Sequence, residues 1–305
     1  MTGKKTKYSS LEHSRRDTIQ AVIMVTPSLL GFIILVYFPI LYILQYALFN
    51  YNGWEKSFAG FENFVRLFTR DPDYWVSVGT TFILAFGKLA VEIPLALFLA
   101  VLLSKKIAGA GFFRAALFLP AIISTAIVGL IFTLMFGAYD GIINVILADL
   151  RLIKDHINWF GNKWTALAML GTASVWQNAG VNMIFFMVAL QQIPQELYEC
   201  ADIDGVPPFR VFVSITLPMI GKMFQIILLM AIIGSLKVAD LVLASTNGQP
   251  GGATEVVMTY IFKYFFGHSG RIIQIGYASA MSVITGLILA VVSVIYLNAT
   301  KKMRD

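Results

Sequence analysis

The 305 residues are 58% hydrophobic and only 13% charged, with a mean hydropathy of +0.76, which excludes a soluble domain of this size and indicates an integral membrane protein. The net charge of +6 comes from basic residues scattered at the ends of apolar runs rather than gathered in a patch with aromatics, so it reads as topological and excludes nucleic acid as a partner. A single cysteine, Cys200, excludes a disulfide framework within the chain.

Residues 1–18 form a basic tail, with Lys4, Lys5, Lys7, Arg15 and Arg16, and the positive-inside rule puts it in the cytoplasm. The apolar run from Ile19 to about Tyr46 is longer than a signal-peptide core and ends without a small-residue cleavage site, so it reads as an uncleaved first span. Pro27 and Pro39 lie inside it, where they can bend a helix. Residues 47–74 carry Asn50, Asn52, Gly53, Trp54, Gly60, Asp71 and Asp73 among aromatics, the pattern of an outer loop at the membrane interface. A second span is expected from about Trp75 to Leu103, returning inside at Lys105 and Lys106, and a third from about Phe112 to Phe136.

A second outer loop, Gly137 to Lys163, contains a surface helix marked by Ile142, Ile143, Val145, Ile146 and Leu150. The fourth span is expected at about Trp164 to Leu190 and the fifth at about Met219 to Ala244, with a polar loop over 191–218 between them. Gly and Pro density marks Ser245 to Glu255 as an outer loop, and Val256 to Phe266 re-enters or lies on the surface. The sixth span, about Ile275 to Leu297, precedes Lys301, Lys302 and Arg304. Strand alternation is absent. The chain therefore reads as an all-α polytopic membrane protein with six transmembrane helices over 19–299, flanked by cytoplasmic tails 1–18 and 300–305.

Within the polar loop, Pro194 precedes good helix formers from Gln195 to Ile203, Asp204-Gly205 makes a turn, and Pro207 starts a second short helix. Glu196, Glu199 and Asp202 then share one side of the first helix, which suits either docking or a solvated connector. On the fourth span Ser174, Gln177, Asn178 and Asn182 fall at i, i+3, i+4 and i+8, a polar stripe that either lines a cavity or hydrogen-bonds neighbouring helices. Two charged pairs lie inside spans, Lys88 with Glu92 at i, i+4 and Lys237 with Asp240 at i, i+3, each able to neutralise itself. The chain has no G-x4-G-K-[ST] phosphate loop, and His13, His156 and His268 show no metal or triad spacing, so neither an ATPase site, a metal site nor an enzyme is expected.

Glu199-Cys200-Ala201, three residues, Gly205, nine residues, then Ile215-Thr216-Leu217-Pro218 resembles the E-A-A-x3-G-x9-I-x-L-P motif of ABC-importer permeases. Cys200 departs from that motif but is small enough to replace the first Ala. Three segments extend the resemblance to the sugar permeases of the maltose and multiple-sugar class: IPQELYECADIDGV, NGWEKSFAGFENFVRLF and LKVADLVLASTNGQP, the last departing at Ala239 and Gln249.

The resemblance implies the type I ABC-importer permease fold in a bacterial or archaeal plasma (inner) membrane. It also implies a coupling loop at 191–218 that docks on an ATPase subunit through Glu196, Glu199, Ala201, Asp202, Gly205, Ile215, Leu217 and Pro218. The implied partners are a second homologous permease, two copies of an ABC ATPase that hold ATP and Mg, an extracytoplasmic solute-binding protein, and a sugar or oligosaccharide substrate. No cofactor is implied in this chain. Ser174, Gln177, Asn178 and Val181 match sugar-contact positions of maltose-type permeases, with Asn182 on the same stripe and Gly234, Ser235 and Val238 matching on the fifth span. Trp176 either stacks on a sugar or packs between helices. Two alternatives stand beside the sugar reading. One is another solute such as a glycerol phosphate, for which Lys237 is the nearby cation; the other is an ion-coupled transporter using Lys88 and Glu92 as a proton relay.

Overall fold

The computed structural model describes residues 15–105 and 108–301, so Lys4, Lys5, Lys7, His13, Lys106, Lys302 and Arg304 lie outside the described residues. The chain begins with α1 (Arg15–Phe32), a π-helical turn (Ile33–Tyr37) and α2 (Phe38–Tyr46), which together make one span. This span buries none of its most apolar window against the rest of the chain.

A small hairpin follows, β1 (Phe49–Tyr51) paired antiparallel with β2 (Lys56–Phe58), and then α3 (Glu62–Thr69). The hairpin turns at Asn52-Gly53, where Asn52 Oδ1 accepts from the amides of Trp54 and Glu55 at 3.0 and 2.8 Å and Gly53 takes a φ of +101°. A loop was expected here, and the strands add a minor β element to the helical fold.

The second span, α4 (Pro72–Ser104), is capped by Asp71, whose carboxylate accepts from the Tyr74 amide at 3.1 Å, the Tyr260 hydroxyl at 2.7 Å and the Tyr277 hydroxyl at 2.5 Å. Burial first, and the Asp71 carboxylate next, push the Tyr260 phenol well above its usual range. Three separated segments therefore meet at one buried carboxylate.

The expected third span is a bent pair rather than one rod: α5 (Ala110–Phe118) runs through a 3-10 turn at Leu119–Ile122, and α6 (Thr125–Met135) leaves at 98°. Pro120 in that turn and extended backbone at Ile123 and Ser124 break the helix. The surface helix appears as α7 (Ile142–Asp149), but its Asn144 is fully buried and staples the loop. Its amide donates to Gly137, Ala138 and Ile157 carbonyls, while Oδ1 accepts from Trp159 Nε1 at 2.9 Å.

The fourth span is α8 (Lys163–Leu190), packed along α4 and crossing α5 so closely at Gly180 that a Cβ there would collide with the Leu117 carbonyl oxygen. The polar loop holds α9 (Gln195–Ile203) and α10 (Pro208–Val211), and a π turn (Phe212–Thr216) leads into α11 (Leu217–Met219). At Ile220 the chain bends by 73° into α12 (Gly221–Leu236).

The fifth span ends at Leu236, short of the expected Ala244, because Lys237 to Ala239 leave helical geometry before α13 (Asp240–Ser245) begins. α14 (Val257–Phe266), the segment expected to re-enter or lie on the surface, is largely buried, and α15 (Ile275–Lys301) is the last span. Among the described residues, four unbroken helices and two bent pairs make up to 6 spans.

The core is continuous between α4, α8 and α12, where Leu89, Ala96, Met183, Phe186, Ile220 and Leu236 interlock. A second cluster joins Leu67, Tyr74, Tyr260, Tyr277 and Met281, and a third joins Val128, Phe132, Leu170, Leu241 and Val256. Between the first and third clusters the packing opens.

Candidate functional site

That opening is a cavity of about 440 Å³ with walls from α4, α8, α12, the bend between α5 and α6, and the break between α12 and α13. It lies beside Lys88 and Glu92, midway along α4, so it stands at the middle of the spans. The helical periodicity of α8 puts Ser174, Gln177, Asn178, Val181 and Asn182 on the cavity wall together, as the i, i+3, i+4, i+7, i+8 spacing requires. Gly234 and Ser235 face them from α12, and Val238 from the break that follows it.

Trp176 does not line the cavity. At i+2 from Ser174 it lies on the other side of α8, where it is 42% exposed and its ring stands 5.8 Å from that of Phe132. Gln177 Nε2 donates to the Ile123 carbonyl at 3.0 Å and to Thr125 Oγ1 at 3.2 Å, filling an acceptor freed by the bend. Asn178 Nδ2 donates to the Ser174 carbonyl at 2.8 Å, and Ser235 Oγ donates to the Ala231 carbonyl at 2.6 Å. Gly234 faces open space, with nothing within 4 Å of where a Cβ would stand. The wall thus mixes amide, hydroxyl and apolar groups.

Lys88 and Glu92 form the expected ion pair, Nζ to Oε2 at 3.3 Å. Each also reaches across to α8, Lys88 Nζ donating to Ser174 Oγ at 2.8 Å and Glu92 Oε1 accepting from Asn182 Nδ2 at 2.6 Å. Lys237 and Asp240 line the same cavity but do not pair. The helix ends at Leu236 and restarts at Asp240, which destroys the i, i+3 geometry that would have brought them together. A buried pair absent from the expected set, Lys263 with Glu255 at 2.6 Å, clamps the Asn247 to Glu255 loop instead.

The 191–218 loop is the second feature. α9 ends in a Schellman motif, with the Val206 amide donating to the Ala201 carbonyl at 3.0 Å and the Gly205 amide to the Asp202 carbonyl at 3.1 Å. Gly205 supplies the required left-handed residue at φ +65°. Ala201 is buried under the turn, while Glu196, Glu199 and Asp202 are exposed along α9, and Gln195 Nε2 donates to Glu199 Oε1 at 2.8 Å.

Tyr198 and Thr216 hydroxyls meet at 3.1 Å, tying α9 to the π turn that contains Ile215 and leads into Leu217 and Pro218. Ile203 and Phe209 flank the Gly205 turn at 85% and 79% exposure, so the tip of the loop is apolar. Sequence reasoning centred on the acids and missed this pair, although an Ile and a Phe bracketing a polar turn were visible. A rigid turn with an acidic flank and an apolar tip is suited to seating in a partner's groove.

Residues 92–305 match the family model described as "Binding-protein-dependent transport system inner membrane component". The chain is 30% identical over 275 residues to the arabinooligosaccharides transport system permease protein AraP of Bacillus subtilis, covering 89% of this chain and 85% of that protein. It is 31% identical over 251 residues to the trehalose/maltose transport system permease protein MalF of Thermococcus litoralis, covering 82% of each. Among solved structures, a chain of a bacterial ABC transporter involved in the import of the acidic polysaccharide alginate superposes with a TM-score of 0.82 at 21% identity, covering 95% of this chain and 98% of that one. That likeness carries the fold. With more than half of its length matched by the family model, the chain belongs to the binding-protein-dependent transport system inner membrane components.

Proposed function

We propose that this chain is a permease subunit of an ATP-driven carbohydrate importer, forming half of the translocation pathway with a second, homologous permease. The observation that carries the reading is the mid-span cavity walled by Ser174, Gln177, Asn178, Asn182 and Ser235. Hydroxyl and amide groups both donate and accept, as sugar hydroxyls do, and a cavity is where a membrane protein tolerates such groups. The names of its relatives, which include transport systems for arabinooligosaccharides, trehalose and maltose, and lactose, point the same way.

In this reading the 191–218 loop faces the cytoplasm with both chain ends and seats in the groove of an ATPase, two copies of which supply the ATP site that this chain lacks. A loaded binding protein docks on the outer loops. ATP then closes the motor, and the closure moves α9 and, through the Tyr198–Thr216 contact and the 73° bend at Ile220, the α12 wall of the cavity. The Lys88–Glu92 pair, held to α8 at both ends, acts as a packed ion pair rather than a proton relay.

The test is uptake into proteoliposomes holding the complex, its binding protein and internal ATP, with arabinotriose, maltose, trehalose and lactose as probes. Accumulation of at least one that needs both ATP and the binding protein is expected. Accumulation driven by an ion gradient without the ATPase would defeat the reading.

A further inference from the structure

The polar side chains around the cavity differ in what they have left to offer a solute. Ser174, Gln177, Asn182 and Ser235 are only 5, 6, 8 and 2% exposed, and their hydrogen bonds run within the protein. Gln177 gives its amide protons to Ile123 and Thr125, Asn182 donates to Glu92, Ser174 accepts from Lys88, and Ser235 donates to the Ala231 carbonyl. Lys237 and Asp240 are the opposite case. Both line the cavity, both are exposed, and among the described residues neither side chain makes a hydrogen bond or an ion pair.

The break between α12 and α13 leaves them in this condition. In a continuous helix the two would stand at i, i+3 and satisfy each other. Lys237 instead closes α12 at φ −98° and ψ 10°, and Ala239 leaves the helical path at φ −140° and ψ −56°, so the pair is parted. Asp240 is the first residue of α13, yet no side-chain hydrogen bond caps that helix. Ionisable side chains at the middle of the spans face water-filled cavities and mark the path of a substrate. Of the two, the carboxyl is the one that tells sugars apart. Its oxygens lie side by side and need two neighbouring hydroxyls in matching positions, whereas an ammonium donates to any nearby oxygen.

Resting on the carbohydrate reading, we infer that Asp240 is a specificity-determining residue whose carboxyl oxygens accept from two neighbouring hydroxyls of the transported sugar. The α8 stripe then shapes the polar wall, and the break supplies the reachable group that chooses among sugars. A site built to hydrogen-bond a hydroxyl rejects an analogue lacking it far more strongly than an apolar wall rejects a change of size.

The experiment is ATP-dependent uptake into proteoliposomes holding the whole complex and its binding protein, first with arabinotriose, maltose, trehalose and lactose, then with monodeoxy derivatives of whichever is taken up. Each sugar is supplied well above its dissociation constant for the binding protein, so the rate reads the hand-over to the membrane subunits rather than capture. The quantity followed is the ratio of the parent's rate to each derivative's. In the wild type, removing a hydroxyl that Asp240 holds should slow uptake about tenfold. In Asp240→Ala the parent should slow by a similar factor, and the ratio for that derivative should fall to about one. Asp240→Asn keeps one acceptor oxygen and should lower the ratio about threefold.

Ratios that stay the same in both variants for every derivative overturn the inference, whether or not uptake of the parent falls, and leave the carbohydrate reading standing. A merely structural role for Asp240 gives that result, because it slows parent and derivatives alike. Failure of both variants to assemble with the ATPase also overturns it, since an exposed residue that touches only the solute is not needed for folding. Absence of ATP-dependent uptake of all four sugars by the wild type overturns the carbohydrate reading as well.

Discussion

The Lys263–Glu255 pair offers a quantitative test of how the loop after the fifth span is held. Lys263 is 4% exposed and donates to Glu255 Oε2 at 2.6 Å and to the Asn247 carbonyl at 2.8 Å, while Glu255 Oε1 accepts from Thr259 at 2.7 Å. Lys263→Met removes two charge-assisted bonds and leaves a buried carboxylate without a cation, a loss of about 3–5 kcal/mol. Glu255→Gln strands the ammonium and should cost a similar amount. The double variant buries no unpaired charge, so it should be milder than the sum of the singles, with a coupling of roughly 2 kcal/mol.

Reversible unfolding in mixed SDS and mild-detergent micelles, read by tryptophan fluorescence, gives all three differences. Additive singles, or singles that each cost less than about 0.5 kcal/mol, would refute the claim that this pair anchors the loop. Gly248 sharpens the same test, because a Cβ there would stand 2.5 Å from Glu255 Oε2.

At the α5–α8 crossing, Gly180→Ala puts a methyl against the Leu117 carbonyl and should destabilise by about 1–3 kcal/mol in the same unfolding assay. Gly180→Ser should behave likewise, and a neutral result for both would deny the close approach. In the cavity, Gly234→Leu has room for its Cβ, so it should leave unfolding unchanged within about 0.5 kcal/mol while lowering uptake of the transported sugar at least tenfold. Unimpaired uptake would mean that the solute passes elsewhere.

Local pattern made much of this molecule readable. The apolar runs gave the spans, Pro194 and Gly205 bounded α9, and the 3.6-residue period placed Ser174, Gln177, Asn178, Val181 and Asn182 on one wall. What escaped was set by contacts distant in sequence. Asp71 gathers Tyr260 and Tyr277 from far along the chain, and no periodicity marks such a partnership.

The break at Lys237 to Ala239 lies in an apolar run that a window average carries straight across, so the fifth span was drawn too long and Lys237 was paired with Asp240. The bend at Ser124 escaped for the same reason, although Pro120 signalled it. Asn52-Gly53 was a readable hairpin signal, masked because the surrounding residues suggested an interfacial loop. For Trp176 the sequence leaves stacking on a sugar and packing between helices both open, and the turn of the helix sets its ring beside Phe132.

The exposed turn of the 191–218 loop carries the central claim, that this loop links the membrane helices to an ATPase. Gly205 is exposed at φ +65° with nothing within 4 Å of a Cβ, so a substituent there projects outward, and its cost to folding is only the roughly 1–2 kcal/mol of a left-handed non-glycine residue. The measurement is copurification of the ATPase with the tagged wild type, Gly205→Asn and Gly205→Arg, followed by ATP-dependent sugar uptake in vesicles made from each. We expect the wild type and the Asn variant to retain both ATPase and uptake, and the Arg variant to remain folded in the membrane and lose both. Full ATPase recovery and uptake with Gly205→Arg, or uptake by the wild-type chain on an ion gradient alone, would contradict it.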